Sequence, residues 1–220
     1  MHHRAAGPNL RPRSTHPRLG NGLTRRQGLL ALGGAWAALS LQGCKMGAAN
    51  FKAVDVTGAS YAQGFDLTDA QGQRRSLSDF QGQLVVVFFG FTQCPDVCPT
   101  TLAELAEVKQ LLGADGDKLR GVFISVDPAR DTPEILQAYV SNFDPGFVAL
   151  RPSPEELVQV AKAYRVYYKK VPGSQPDTYT MDHTAGSYVY DTKGKLRLFT
   201  RYGSGAQALA DDLKILLDQA

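Results

Sequence analysis

The sequence predicts an α/β domain, a mixed central sheet flanked by helices. Three observations predict it. Two apolar runs of strand length, Leu84 to Phe91 and Gly121 to Val126, end in polar turn residues. Helix-start signals follow each run and recur once more further on. The C-terminal portion then changes to two β-rich stretches around a short turn, followed by one last helical stretch. Strands alternating with helices call for parallel crossovers, and the closing hairpin adds antiparallel strands.

In chain order, Phe65 and Leu67 alternate with polar residues before Asp69-Ala70-Gln71-Gly72, a strand and its turn. Ser76 to Phe80 suits a single helical turn. Leu84 to Phe91, rich in valine and phenylalanine and too short for a helix, reads as a fully buried parallel strand. Thr92 to Pro99 interrupts the pattern. Thr101, Leu105, Val108 and Leu112 then recur at helical spacing up to Gly113, a C-terminal cap. Gly121 to Val126 is a second buried strand, ending in Asp127-Pro128. Thr132-Pro133-Glu134 opens a helix with proline at its first position. Ser153-Pro154-Glu155-Glu156 is a capping box for a third, with Leu157, Val160, Ala161 and Tyr164 facing inward. Ser187 to Asp191 and Lys195 to Tyr202 form a hairpin about Thr192-Lys193-Gly194, and Ala206 to Leu217 a last helix. The order strand, cysteine pair, helix is the thioredoxin arrangement.

Residues 1–44 read as an export leader rather than as part of the fold. Arg25-Arg26 precedes an apolar run from Leu29 to Leu41. At about 13 residues it suits a signal core and falls short of the roughly 20 that a membrane span needs. It ends in Leu41-Gln42-Gly43-Cys44, similar to a lipobox, in which cleavage leaves Cys44 lipidated at a membrane surface. An uncleaved N-terminal anchor is the alternative. Either way the domain is exported and held at the membrane on the periplasmic, extracytoplasmic side. Residues 45–60 read as a tether and residues 61–220 as the folded domain.

The leader also distorts the charge. Six of the 24 basic side chains lie in it with no acidic partner, which leaves 18 against 21 acidic ones. A mildly acidic domain without a basic stripe gives no phosphate backbone a footing, so nucleic acid is excluded as a partner.

Outside the leader the chain owns two cysteines, Cys94 and Cys98, and one histidine, His183. The cysteines fall where a strand ends and a helix begins, the place open α/β sheets use for ligands. Pro99 cannot sit deep in a helix, so the helix starts at or just before it, with Cys98 at its N-terminus and Cys94 in the loop. Free N–H groups and the helix dipole favour a thiolate there. A disulfide across so short a loop stabilises little, so the pair reads as reactive rather than structural. His183 taken alone reads as a satisfied surface or core residue. If the strand from Ser187 lies beside the strand ending at Phe91, however, the loop before it reaches the cysteines. Two thiolates and an imidazole are one ligand short of a structural zinc site, and soft thiolates favour Cu(I) while imidazole suits Cu(I) and Cu(II). Asp182 reads either as an orienting partner of His183 or as a solvated carboxylate.

FFGFTQCPDVCPTTL, ISVDPARDTPEILQAYV and MDHTAGSYVYDTKGK, in that order, resemble the SCO/SenC family over roughly residues 60–217. The resemblance implies a thioredoxin-like fold and a copper metallochaperone that delivers copper to the binuclear copper centre of cytochrome c oxidase subunit II. It implies one copper per chain, held by Cys94, Cys98 and His183. It also places Asp127 near the site, although Asp127 and Arg130 read equally as a turn-stabilising pair. A thiol–disulfide oxidoreductase, with Cys94 and Cys98 as the catalytic redox pair reducing a copper-accepting partner, uses the same cysteines. Peroxide reduction is a third reading, which neither the spacing of the pair nor the distant histidine demands.

Overall fold

The computed structural model describes residues 49–175 and 178–220. The leader, Cys44 and residues 45–48 lie outside the described residues. Among the described residues no helix is long and apolar enough to cross a membrane.

The strands are β1 (Val54–Asp55), β2 (Asp66–Thr68), β3 (Arg74–Ser76), β4 (Leu84–Gly90), β5 (Leu119–Ser125), β6 (Val148–Leu150), β7 (Tyr168–Pro172), β8 (Tyr179–His183), β9 (Gly186–Tyr190) and β10 (Leu196–Arg201). The helices are α1 (Val97–Leu111), α2 (Pro133–Ser141), α3 (Pro154–Tyr164) and α4 (Ala206–Asp218). The main sheet runs β1-β10-β9-β4-β5-β6, while β2-β3 and β7-β8 form separate two-stranded sheets. Strand β4 pairs parallel to β5 and antiparallel to β9, so the sheet is mixed and β4 is central. The architecture is thioredoxin-like.

The continuous apolar run of β4 follows from its position. Val85, Val87, Phe89 and Phe91 feed one core, closed by Leu157, Val160, Ala161 and Tyr164 of α3. Leu84, Val86 and Phe88 feed the other, under α1, α2 and α4. With helices on both faces the strand has no wet side, and alternation disappears.

Helix starts fall where their signals lie. Thr132 accepts the N–H of Ile135, and Ser153 and Glu156 close a reciprocal capping box. Away from the cysteines, the structure differs from the sequence reading in three respects. The inward stripe of α1 runs through Cys98, Leu102, Leu105 and Val108, with Leu102 rather than Thr101 fully buried. Strands β6, β7 and β8 carried no hairpin or run signal strong enough to read. Finally, residues 49–60, expected within a tether, belong to the domain. The Asp212 carboxylate accepts the backbone N–H groups of Lys52 and Ala53, each at 2.8 Å, and Val54–Asp55 pairs with β10. A buried carboxylate, ion-paired to no cation among the described residues, fixes a segment that composition alone leaves free.

Candidate metal centre

The site lies at the carboxyl end of β4. After Gly90 and Phe91 the chain turns, and the Cys94 N–H donates to the Phe91 carbonyl at 3.2 Å. Helix α1 begins one residue before Cys98, which places that sulfur under the first turn and only 1% exposed. Gly90 makes the space. A Cβ there would stand 2.6 Å from the Cys98 Sγ and 2.7 Å from Phe123 Cε2.

His183 arrives by the antiparallel pairing of β9 with β4. Ser187 faces Phe88, so the chain just before β9 lies at the carboxyl end of β4. His183 is not in a loop, as expected, but is the last residue of β8, paired with Tyr168. The Phe91 and His183 rings stand in a T-shaped arrangement at a centroid distance of 5.9 Å. Its Nδ1 lies 3.1 Å from the Thr184 carbonyl, which can only accept. That occupies Nδ1 and leaves Nε2 as the nitrogen that faces the Cys98 Sγ, 3.7 Å away. Asp182 does not supply this orientation. It lies exposed, adjacent to His183 in the strand and therefore on its opposite side, while the Thr184 carbonyl takes the role expected of it.

Both cysteines are free. The proton is divided unevenly between them. Cys94 is held well below the usual thiol range, chiefly by the hydrogen bond from Cys98, against burial, and further by His183 and the Asp96 and Cys98 N–H groups. Cys98 is pushed up by its bond to Cys94 and by burial. The helix-terminal N–H groups therefore serve the loop cysteine, whereas the sequence pointed to a thiolate at the helix N-terminus itself. The physical reason is burial. Cys98 lies under the helix among Leu102, Phe123 and other apolar neighbours, while Cys94, at the edge of that cluster, takes the Asp96 and Cys98 N–H groups.

Asp127 is buried, ion-paired with Arg130 and accepts the Tyr179 hydroxyl at 2.9 Å. Both sequence readings of the pair meet here, a turn that also touches the strand carrying His183. Asp131 escaped the sequence reading. It is fully buried and accepts the Thr92 hydroxyl and the Ser125 hydroxyl, both at 2.6 Å, tying the root of the cysteine loop to the end of β5. Gly90, the one small residue in its apolar run, was the legible signal of close approach.

The ligand atoms of Cys94, Cys98 and His183 lie within 4.8 Å of one another. That is close to the span of two metal–ligand bonds of roughly 2.0–2.3 Å each. Two sulfurs and one imidazole nitrogen, partly open to solvent at Cys94, suit a soft metal ion.

A thioredoxin-like domain with two cysteines and a histidine converging at the end of its central strand defines a class of metal-binding thioredoxin relatives. The SCO1/SenC family model matches residues 55–218, and the chain belongs to that family. It is 38% identical over 180 residues to Protein SCO2 homolog, mitochondrial, of Bos taurus, covering 80% of this chain and 66% of that protein. With the human Protein SCO2 homolog, mitochondrial, it shares 35% identity over 189 residues, covering 83% of this chain and 70% of that protein. The alignments thus span about two thirds of these relatives. The structure of Bradyrhizobium japonicum ScoI with copper bound matches at a TM-score of 0.62 and 44% identity, covering 70% of this chain and 97% of that one.

Proposed function

We propose that the protein is a copper metallochaperone. It binds one copper ion, as Cu(I) or Cu(II), through Cys94, Cys98 and His183 and passes it to a copper-accepting protein. The acceptor in this reading is cytochrome c oxidase subunit II, at its binuclear copper centre. The observation that carries it is the cluster itself, two sulfurs and an imidazole whose ligand atoms lie within 4.8 Å of one another, with Nε2 turned toward the sulfurs. Three protein ligands leave room for an incoming ligand from an acceptor, which suits transfer over storage. Copper-bound Bradyrhizobium japonicum ScoI, in the same family fold, supports the choice of metal. The domain works outside the cytoplasm, held at a membrane through the N-terminal segment by a lipid on Cys44 or by an uncleaved anchor.

Copper titration of the full chain under reducing conditions, with His183→Ala in parallel, tests the reading. One copper per chain, bound much more weakly in the variant, is the expected result. Binding indifferent to His183 would sink the three-ligand site.

A specific observation favours a second activity of the same residues. Cys94, half-buried and ionised, beside Cys98, buried and protonated, is the asymmetry of an attacking and a resolving thiol. As a thiol–disulfide oxidoreductase the pair would reduce the acceptor's cysteines. That activity survives His183→Ala, and tight copper binding does not.

A further inference from the structure

We infer that Arg130 is a positioning residue, a clasp that fastens the histidine-bearing hairpin to the cysteine loop and so fixes where His183 stands relative to the two sulfurs. The inference rests on the proposed ligand set and adds what holds that set together.

The need for a clasp follows from the topology. Cys94 and Cys98 hang from β4 and α1, inside the main sheet and its helix layer. His183 ends β8, and β7-β8 is a two-stranded sheet outside that ladder. Pairing of β9 with β4 brings the end of the hairpin to the carboxyl end of β4, but no ladder of the main sheet extends to the hairpin itself. Side-chain contacts must contribute.

Arg130 makes them from the loop after β5. Its Nη1 donates to the Gln93 side-chain oxygen and to the Tyr179 carbonyl, both at 2.8 Å. Gln93 immediately precedes Cys94, and Tyr179 opens the strand that His183 closes. Its Nε pairs with Asp127, whose other oxygen accepts the Tyr179 hydroxyl at 2.9 Å. The guanidinium lies over the Tyr179 ring, 3.6 Å from its centroid, and 5.8 Å from the centroid of Phe91. Phe91 in turn meets the His183 imidazole. One planar cation thus touches the cysteine loop, the β5 loop and the histidine hairpin. Only a guanidinium has enough donors in a fixed fork to do so, and an ammonium cannot.

A second observation argues against a purely stabilising role. Arg130 Nη2 is buried and has no hydrogen-bond partner among the described residues. A buried donor left unpaired works against stability, so stability by itself is a poor account of the residue.

The consequence is selective. Soft thiolates contribute more of the affinity for Cu(I), so a displaced imidazole costs Cu(II) more than Cu(I). Loss of an outer partner of a metal ligand lowers affinity by about 10- to 100-fold. The test is Cu(I) and Cu(II) titration of the full chain as wild type, Arg130→Gln, Arg130→Lys, His183→Ala and the Arg130→Gln/His183→Ala pair. Cu(II) absorption and electron paramagnetic resonance are recorded for each, with thermal melts of the metal-free proteins. Arg130→Gln is expected to weaken Cu(II) about 10- to 100-fold, with a smaller effect on Cu(I). Its spectrum should move toward that of His183→Ala, and Arg130→Lys should not rescue it. Because Arg130 acts through His183, its substitution should add nothing in the His183→Ala background. A wild-type spectrum and affinity in Arg130→Gln, or a full additive loss in the double variant, overturns the clasp. If Arg130→Gln does not fold, Gln93→Leu cuts one arm at an exposed position and is judged by the same spectrum and the same non-additivity. Unchanged binding in His183→Ala would instead overturn the ligand set, and the clasp with it.

Discussion

Gly90→Ala adds one methyl group at the point where sheet and site meet. The new Cβ would stand 2.6 Å from the Cys98 Sγ and 2.7 Å from Phe123 Cε2. Ordinary contacts between such atoms lie at about 3.5–4.0 Å, so the sulfur and the ring must each retreat by about 1 Å. Both are shielded from solvent and cannot swing outward, Cys98 being 1% and Phe123 0% exposed. Overpacking of this kind costs about 1–3 kcal/mol. In a chain of this size each kcal/mol lowers Tm by about 2–4 °C. The effect on the metal is sharper. Metal–ligand distances tolerate roughly 0.2 Å, so a sulfur displaced by about 1 Å leaves the site. Copper affinity should fall at least about tenfold, the equivalent of about 1.4 kcal/mol. The assay pairs a thermal melt of the metal-free protein with competition for copper against a chromophoric chelator. Gly121→Ala is the control, because its Cβ would meet Phe147 Cδ1 at 2.9 Å, away from the cluster. It should lower Tm and leave copper affinity alone. If Gly90→Ala loses Tm as the control does yet binds copper as the wild type does, Cys98 is not a ligand.

Two further outcomes are expected. Asp69 is buried and its carboxylate accepts the Gln71 and Gln73 N–H groups and Arg75, which outweigh the burial that would raise its pKa and hold it below the usual carboxylate range. A depressed folded-state pKa gives stability that is full above the unfolded value of about 3.9 and lost as pH falls through the folded one. Asp69→Asn should therefore cost about 1–3 kcal/mol at neutral pH, by leaving its donors poorly matched. Denaturant melts of the two proteins should draw together as pH falls below the unfolded value, and a gap that does not narrow with acid would refute this role. Cys94, whose pKa is lowered, should alkylate with iodoacetamide well below the usual thiol pKa of about 8.5, while Cys98 stays protected. Mass spectrometry of the modified peptide reads this directly, and equal labelling of both cysteines at pH 6 would contradict it.

The sequence was sufficient wherever one local rule decided the outcome. A run as apolar as Leu84 to Phe91 can only be a strand covered on both faces, and Thr132 and Ser153 announce helix starts through contacts three residues away. The three ligand candidates were legible for a simpler reason. Outside the leader the chain has no other cysteine or histidine to choose from. Short strands were not legible. Val148–Leu150 and Tyr168–Pro172 are held by partners far along the chain, and a segment of three to five residues shows no dependable period of its own.

The α/β class, the layered core and the inventory of soft donors thus follow from composition, local capping and period. Tertiary structure alone decided how those donors behave. It set which cysteine keeps its proton, because burial under α1 separates two residues that look alike in sequence. It gave His183 its orientation, because a neighbouring carbonyl rather than Asp182 accepts its Nδ1–H. It joined Gln93, Arg130 and Tyr179, which lie 37 and 49 residues apart along the chain from Arg130, into one contact. Distances of that kind are closed by the sheet, and no local pattern records them.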